Sequence, residues 1–419
     1  MSNLPDTAKL GKNGQLEIGG CSCADLARKF GTPLYIIDEA TVRNRCRAYV
    51  QSFRQSHPNT EIAFACKALC TTSVVRLVAS EGLGLDVSSG GEIYTAKKAK
   101  ASLNHAYFHG NNKAEDELKF ALQSGVGRMV IDNFDELNRL EKAAREIRKT
   151  ANIFLRINPG IEAHTHEYIK TGTVDSKFGV PLAQLDAVVQ EAKNKKNIQL
   201  VGLHAHIGSQ ILDVQPFVDE TKLLLDLIDK YGLNELDIGG GIGIPYLENE
   251  AVPALEDFAR QIGDVLKNRP EIKLILEPGR SIVGQAGVTL YTIGGIKDIP
   301  GIRKYIFIDG GMSDNPRPIL YQAKYAATIV SKASQPRTDK VTVAGRFCES
   351  GDVLIKDIIL PKVEAGDTLA VFCTGAYNYA MASNYNRVGR PAMILVDNGK
   401  AALVVRREAY EDLTRNDLC

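Results

Sequence analysis

Short apolar runs and spaced apolar residues alternate along the first two thirds of the chain. Apolar runs recur at 62–66, 84–87, 106–108, 128–131, 153–157, 200–205, 236–238 and 274–276. Between them, stretches such as 113–124, 134–148, 182–194 and 254–268 carry apolar residues spaced among charges, as amphipathic helices do. Strands alternating with helices predict a parallel sheet. Eight repeats predict closure into a (β/α)8 barrel, with an open doubly wound sheet as the competing geometry.

The texture changes after residue 285. Runs rich in Val, Ile, Thr and Tyr appear at 288–293, 304–308, 341–345, 353–359, 368–373, 392–396 and 401–406, divided by turns such as Asp397-Asn398-Gly399. Strands at this spacing predict an all-β module, a sandwich or barrel. Gln15-Leu16-Glu17-Ile18 alternates like a strand, so the first 30 residues are expected to join it. The predicted organisation is a barrel over 31–285 and a β domain from 1–30 and 286–419.

Composition narrows the function classes. The 419 residues carry a formal net charge of +1, with 44% hydrophobic and 24% charged residues, which is ordinary for a globular protein and gives no footprint for nucleic acid. No signal-peptide core and no membrane-length apolar run is present, so a cytoplasmic location is expected. The eight cysteines are scattered without paired CxxC hooks and are expected to be reduced.

A barrel places its chemistry at the C-terminal ends of its strands. There the chain offers, in order, Lys67; Asp86; His109-Gly110-Asn111-Asn112; Asp132-Asn133; Arg156; His204-Ala205-His206-Ile207-Gly208-Ser209-Gln210; Gly239-Gly240-Gly241; and Glu277-Pro278-Gly279-Arg280. Lys67 closes an apolar run, and a lysine desolvated there is a candidate Schiff-base amine. The glycine triplet with Ser209 and Arg280 is a candidate phosphate cradle, although Gly-rich loops are often mere turns. A Schiff-base lysine beside a phosphate site points to pyridoxal phosphate, whose ring nitrogen needs an acidic partner. Glu277 is placed for that, or else for a structural pair with Arg280. His206 is placed to stack on the ring. Asp86 is placed to hold the Lys67 ammonium, or to form a turn. The pairs His204/His206 and His164/His166 have metal-ligand spacing, but no carboxylate or cysteine cluster accompanies either in sequence, so no metal is expected.

Several ordered motifs carry a resemblance. Phe64-Ala65-Cys66-Lys67-Ala68, His206-Ile207-Gly208-Ser209-Gln210, Gly239-Gly240-Gly241-Ile242-Gly243, Glu277-Pro278-Gly279-Arg280-Ser281, Cys348-Glu349-Ser350-Gly351-Asp352 and Gly375-Ala376-Tyr377 resemble those of the alanine-racemase-fold decarboxylases. Within that group His164-Thr165-His166, Asp175-Ser176-Lys177-Phe178-Gly179, Arg317-Pro318-Ile319-Leu320-Tyr321 and Met381-Ala382-Ser383-Asn384-Tyr385-Asn386 are most similar to the diaminopimelate branch. The likeness runs from about residue 30 to 415.

The resemblance implies a pyridoxal-phosphate barrel followed by a β-sandwich or β-barrel domain, in a head-to-tail homodimer. It implies Lys67 as the cofactor lysine and Gly239, Gly240, Gly241, Ser209, Gly279, Arg280 and Tyr377 around the phosphate. Glu277 would meet the ring nitrogen, and His206 would stack. Cys348, from the partner subunit, would be the proton donor. Arg280, Arg317, Tyr321, Glu349 and Tyr377 would contact an amino-acid substrate. Arg317 and Arg280 suit a distal carboxylate and Glu349 a distal ammonium, which would set diaminopimelate apart from lysine or ornithine. Two positions depart from the pattern: Leu69 stands where Asn is more usual, and Asn378 where Gly is usual. The alternatives are an ornithine- or arginine-type decarboxylase and a non-catalytic pyridoxal-phosphate protein. A racemase fits less well, because a carboxylate-protonated ring is a stronger electron sink than racemisation favours.

Overall fold

Eight short parallel strands, each followed by a crossover, close on themselves in the computed structural model, which describes residues 3–161 and 176–418. They are β1 (Thr60–Ala65), β2 (Gly84–Val87), β3 (Ala106–Phe108), β4 (Arg128–Ile131), β5 (Ala151–Asn158), β6 (Ile198–His204), β7 (Glu235–Asp237) and β8 (Lys273–Leu276). Consecutive strands pair in parallel, and β8 pairs with β1 to complete the ring. The sheet is therefore a closed barrel, and the open alternative is excluded. Inward residues Ala63, Tyr107, Val130, Phe154 and Ile275, with Val201 against them, fill its interior. A filled interior leaves the strand ends as the place for chemistry.

The helices follow the predicted segments with ends shifted by a few residues. Phe134–Glu146 begins where Asn133 Oδ1 accepts from Glu136 N at 2.9 Å. Glu115–Ser124 starts two residues later than expected and stops at Gly125, whose φ of 79° is left-handed. Lys113, expected as its first residue, is instead buried: Nζ donates to Gly110 O at 2.8 Å and Val130 O at 2.7 Å, and pairs with Glu136. Leu182–Gln184 is a 3-10 turn ahead of the helix Leu185–Asn194, and Leu255–Val265 is helical.

The second unit is built on a mixed sheet. The 13-residue strand Gly287–Ile299 is its spine. Its first half pairs with Leu34–Asp38 and Thr368–Phe372, and its second half with Arg303–Ile308. Asp339–Ala344 and Val353–Leu360 extend the sheet on one side. Ala392–Asp397 and Lys400–Val405 extend it on the other. One apolar cluster gathers Leu16, Ile18, Leu34, Ile36, Val288, Leu290, Phe372 and Ile394. Another gathers Tyr246, Tyr291, Ile306, Tyr325, Val341, Val343 and Val371.

The compact units are 45–243 with 252–281, and 1–44 with 244–251 and 282–419. These limits differ from the expected 31–285 for a physical reason. The strand Leu34–Asp38, which has no polar alternation to mark it, pairs antiparallel with Gly287–Ile299 and parallel with Ala392–Asp397. Ile244 and Tyr246, just beyond the glycine triplet's loop, are core residues of the mixed-sheet unit.

Candidate active site

In the barrel unit the strand ends converge as a set. β1 ends at Ala65, and Cys66–Ala68 form a 3-10 turn in which Cys66 and Ala68 are buried. Lys67, between them, keeps 46% of its side chain exposed, with Nζ 3.6 Å from the buried Asp86 Oδ2. The sequence expectation of a buried strand-end lysine is corrected by this turn. Burial raises the Asp86 carboxyl, while Lys67 and His109 oppose that rise.

Glu277 follows β8 and is buried. Its Oε1 lies 2.6 Å from His109 Nε2 and its Oε2 lies 3.4 Å from His204 Nε2. Burial alone would raise the Glu277 carboxyl, but the two histidines outweigh it and hold the group well below the usual range. His204 is pushed down to about 3 by burial, so it faces Glu277 as a neutral ring. Asp237, at the end of β7, is raised well above the carboxylate range by burial and by the Glu277 charge. Its Oδ1 accepts from Gly239 N at 2.8 Å. His206, two residues beyond the end of β6, is held well below its ordinary value by burial and by the nearby Lys67.

The sequence pattern assigns His109, His204 and Asp237 no part in holding Glu277. The only signal was their place at strand ends. The expectation that no carboxylate accompanies His204 also fails in space. His109, His204, Asp237 and Glu277 each bring one ligand-type atom within 4.8 Å of the others. His164, Thr165, His166 and Asp175 lie outside the described residues.

The loops after β6, β7 and β8 touch backbone to backbone. Glu277 N donates to Gly239 O at 2.7 Å, and Ile211 N donates to Gly241 O at 2.9 Å. A Cβ at Gly240 would sit 2.2 Å from Glu277 O, so only glycine fits there. A Cβ at Gly279 would sit 2.9 Å from Ala65 Cβ, which seats the Glu277–Arg280 loop against the base of the lysine turn. Arg280 Nη2 donates to Ser209 Oγ at 2.8 Å. An amine, a glycine-lined cradle with an arginine and a hydroxyl, and an ionised carboxylate are thus held by touching loops. This donor set fits pyridoxal phosphate: aldehyde, phosphate and ring nitrogen each find a chemically matched group.

The mixed-sheet unit carries the remaining predicted residues. Arg317 opens the helix Arg317–Tyr321 and is only 5% exposed. Its Nη1 donates to Tyr325 Oη at 2.6 Å. Its guanidinium lies 4.8 Å from the Tyr246 ring and 5.7 Å from the Tyr325 ring. Cys348 and Glu349 are exposed on one loop. Asp352 anchors that loop by accepting from Phe347 N at 2.9 Å and Met312 N at 2.7 Å. Asn386 Oδ1 accepts from Cys348 N at 3.1 Å, and Tyr385 Oη donates to Glu349 Oε1 at 3.2 Å. A Cβ at Gly351 would meet Ile319 Cδ1 at 3.9 Å, so this loop abuts the helix that bears Arg317 and Tyr321. Tyr377 is partly buried with a left-handed φ of 62°, and it contributes to the field at Arg317. Leu69 and Asn378, the two departures, are both buried.

Comparison with known proteins places these features in a family. Residues 39–284 match the model of the pyridoxal-dependent decarboxylase, pyridoxal binding domain. The chain is 48% identical to a diaminopimelate decarboxylase of Synechocystis, over 99% of this chain and 92% of that one. It is 45% identical to a diaminopimelate decarboxylase of Bacillus subtilis, over 99% and 98%. The crystal structure of diaminopimelate decarboxylase from M. jannaschii in complex with L-lysine superposes with a TM-score of 0.93 at 36% identity, over 99% of this chain and 98% of that one. With a matching fold, motifs and near-full-length likeness, the chain belongs to the diaminopimelate decarboxylase family of pyridoxal-dependent decarboxylases.

Proposed function

We propose that the chain releases CO2 from meso-2,6-diaminopimelate to give L-lysine, the last step of lysine biosynthesis, with pyridoxal phosphate as cofactor. The observation that carries the substrate assignment is Arg317. It is a buried guanidinium whose partners among the described residues are tyrosines and not a carboxylate. A buried cation without an anion is costly, and the distal carboxylate of diaminopimelate supplies one with matching fork geometry. Ornithine lacks that carboxylate.

Bound pyridoxal phosphate supplies the electron sink for loss of a carboxylate from the α-carbon. Lys67 would hold it covalently, and Asp86, 3.6 Å away, would pair with the Lys67 ammonium whenever that amine is free. Gly239, Gly240, Gly241, Ser209, Gly279, Arg280 and Tyr377 would hold its phosphate, and Glu277, kept ionised, would keep the ring nitrogen protonated. His206, as a neutral imidazole, would lie against the ring. Cys348 would return a proton to Cα. Glu349 would take the distal ammonium, with Tyr321, Tyr377 and Arg280 completing the substrate contacts. Cys348 and Glu349 would serve the site of a second copy in a homodimer, in the cytoplasm. Among the described residues no helix is long and apolar enough to cross a membrane.

The test is a substrate panel with purified protein and pyridoxal phosphate, reading CO2 and amine product. Equimolar CO2 and lysine from meso-diaminopimelate is the expected result. Turnover of ornithine or arginine without turnover of diaminopimelate would replace this reading with that of a different basic amino-acid decarboxylase.

A further inference from the structure

The surroundings of Arg317 pose a problem of their own. Desolvating a guanidinium costs several kcal/mol, and the usual remedy is a carboxylate partner. Here its one side-chain hydrogen bond among the described residues goes to a neutral phenol, Tyr325 Oη at 2.6 Å. The Tyr246 ring face lies over it at 4.8 Å, and Tyr325 meets it oxygen-first, with its ring centre 5.7 Å away. The two rings are themselves edge to face, 5.5 Å apart at 88°. Both tyrosines are core residues, 6% and 2% exposed. The Asn378 amide stands 3.5 Å behind the Tyr325 oxygen.

From this arrangement we infer that Tyr325 and Tyr246 are positioning residues for substrate selection. They orient the Arg317 guanidinium without neutralising it. The inference rests on the reading of Arg317 as the site of the distal carboxylate. A guanidinium has five N–H donors, and Tyr325 occupies one. An acidic partner would fix the same geometry but would compete with the substrate carboxylate. A phenol oxygen and one aromatic face stabilise the cation through weaker contacts and leave its charge available. The assignment also explains why Ile244–Ala251 groups with the mixed-sheet unit: that segment delivers the Tyr246 ring.

The experiment compares inhibition of the holoenzyme by L-lysine and by 1,5-diaminopentane, which has the same carbon chain without the carboxylate. In Tyr325→Phe, the Ki of lysine is expected to rise about tenfold, the scale of one hydrogen bond to a charged group, with that of 1,5-diaminopentane changing by less than about twofold. KM for diaminopimelate should rise in step with the lysine Ki, while kcat changes little. Tyr246→Leu keeps the phenol contact and removes one ring face, so it is expected to show the same selectivity loss at about threefold. Equal shifts for both inhibitors, or none in either variant, would overturn the inference. Arg317→Met separates the two layers. If it leaves the lysine preference intact, the reading of Arg317 itself fails. If it abolishes the preference while both tyrosine variants retain it, only the tyrosine assignment fails.

Discussion

Replacing His109 by Leu tests how Glu277 is kept ionised. His109 Nε2 lies 2.6 Å from Glu277 Oε1, and both residues are buried. The second neighbour, His204, is neutral and more distant at 3.4 Å. A buried hydrogen bond to a charged group is worth about 1.5–3 kcal/mol, and one pKa unit corresponds to about 1.4 kcal/mol. Loss of His109 should therefore raise the Glu277 carboxyl toward the ordinary carboxylate range. Because His109 holds that carboxyl low, its removal moves protonation to higher pH. The acid limb of kcat/KM should shift upward, and the plateau should fall about 10- to 100-fold. His109→Gln, which retains an N–H donor, should recover most of the plateau. The assay is kcat/KM measured from about pH 5 to 9 at saturating cofactor, with cofactor affinity from equilibrium titration of the apoprotein. An acid limb and a cofactor affinity unchanged in His109→Leu would refute the assignment.

Four other outcomes follow from the same geometry. Lys67→Ala should lose the visible absorbance of lysine-bound cofactor; persistence of that band would remove Lys67 as the attachment point. Cys348→Ala should keep the cofactor bound and slow turnover by about 100-fold or more, and an unchanged kcat would exclude the thiol as proton donor. Gly240→Ala places a Cβ 2.2 Å from Glu277 O, so cofactor affinity by equilibrium dialysis should fall at least about tenfold in a folded protein, and undiminished affinity would refute the cradle. Glu92 is raised to about 7, chiefly by burial and further by Asp86, so its ionisation costs stability increasingly as pH rises from the unfolded value toward and past 7. Glu92→Gln should then gain on the parent protein between pH 5 and pH 8 by about 1–3 kcal/mol in chemical denaturation, and a pH-independent difference would contradict the shift.

The barrel was legible because each strand announces itself twice, once as an apolar run and once as a polar, Gly-rich ending. The strand Leu34–Asp38 was not, since its five residues are all buried and its partners lie more than 240 positions away in sequence. Lys67 was found from its place after β1, but its half-exposed state was not. A three-residue 3-10 turn decides that, and no periodicity reports it. The loop carrying Cys348 and Glu349 was found by motif, while its restraint by Asn386 and Tyr385 needed the fold to bring residues 36 and 38 positions apart together.

Charge state was the least legible property of the site. Asp237 and Glu277 both sit at or just past a strand end, both are buried, and the sequence offers no reason to treat them differently. The structure separates them by their neighbours. Glu277 has an imidazole at each oxygen, His109 and His204, while Asp237 has one backbone N–H from Gly239 and the Glu277 charge opposed to it. Two adjacent carboxylates in a low-dielectric interior do not both ionise, and the one with the better donors keeps the negative charge. Asp237 is therefore the readier of the two to hold a proton, and Glu277 the readier to carry the charge. The two histidines decide which strand end presents the anion that a protonated ring nitrogen needs, so His109 and His204 belong to the chemistry of the barrel as much as Glu277 does.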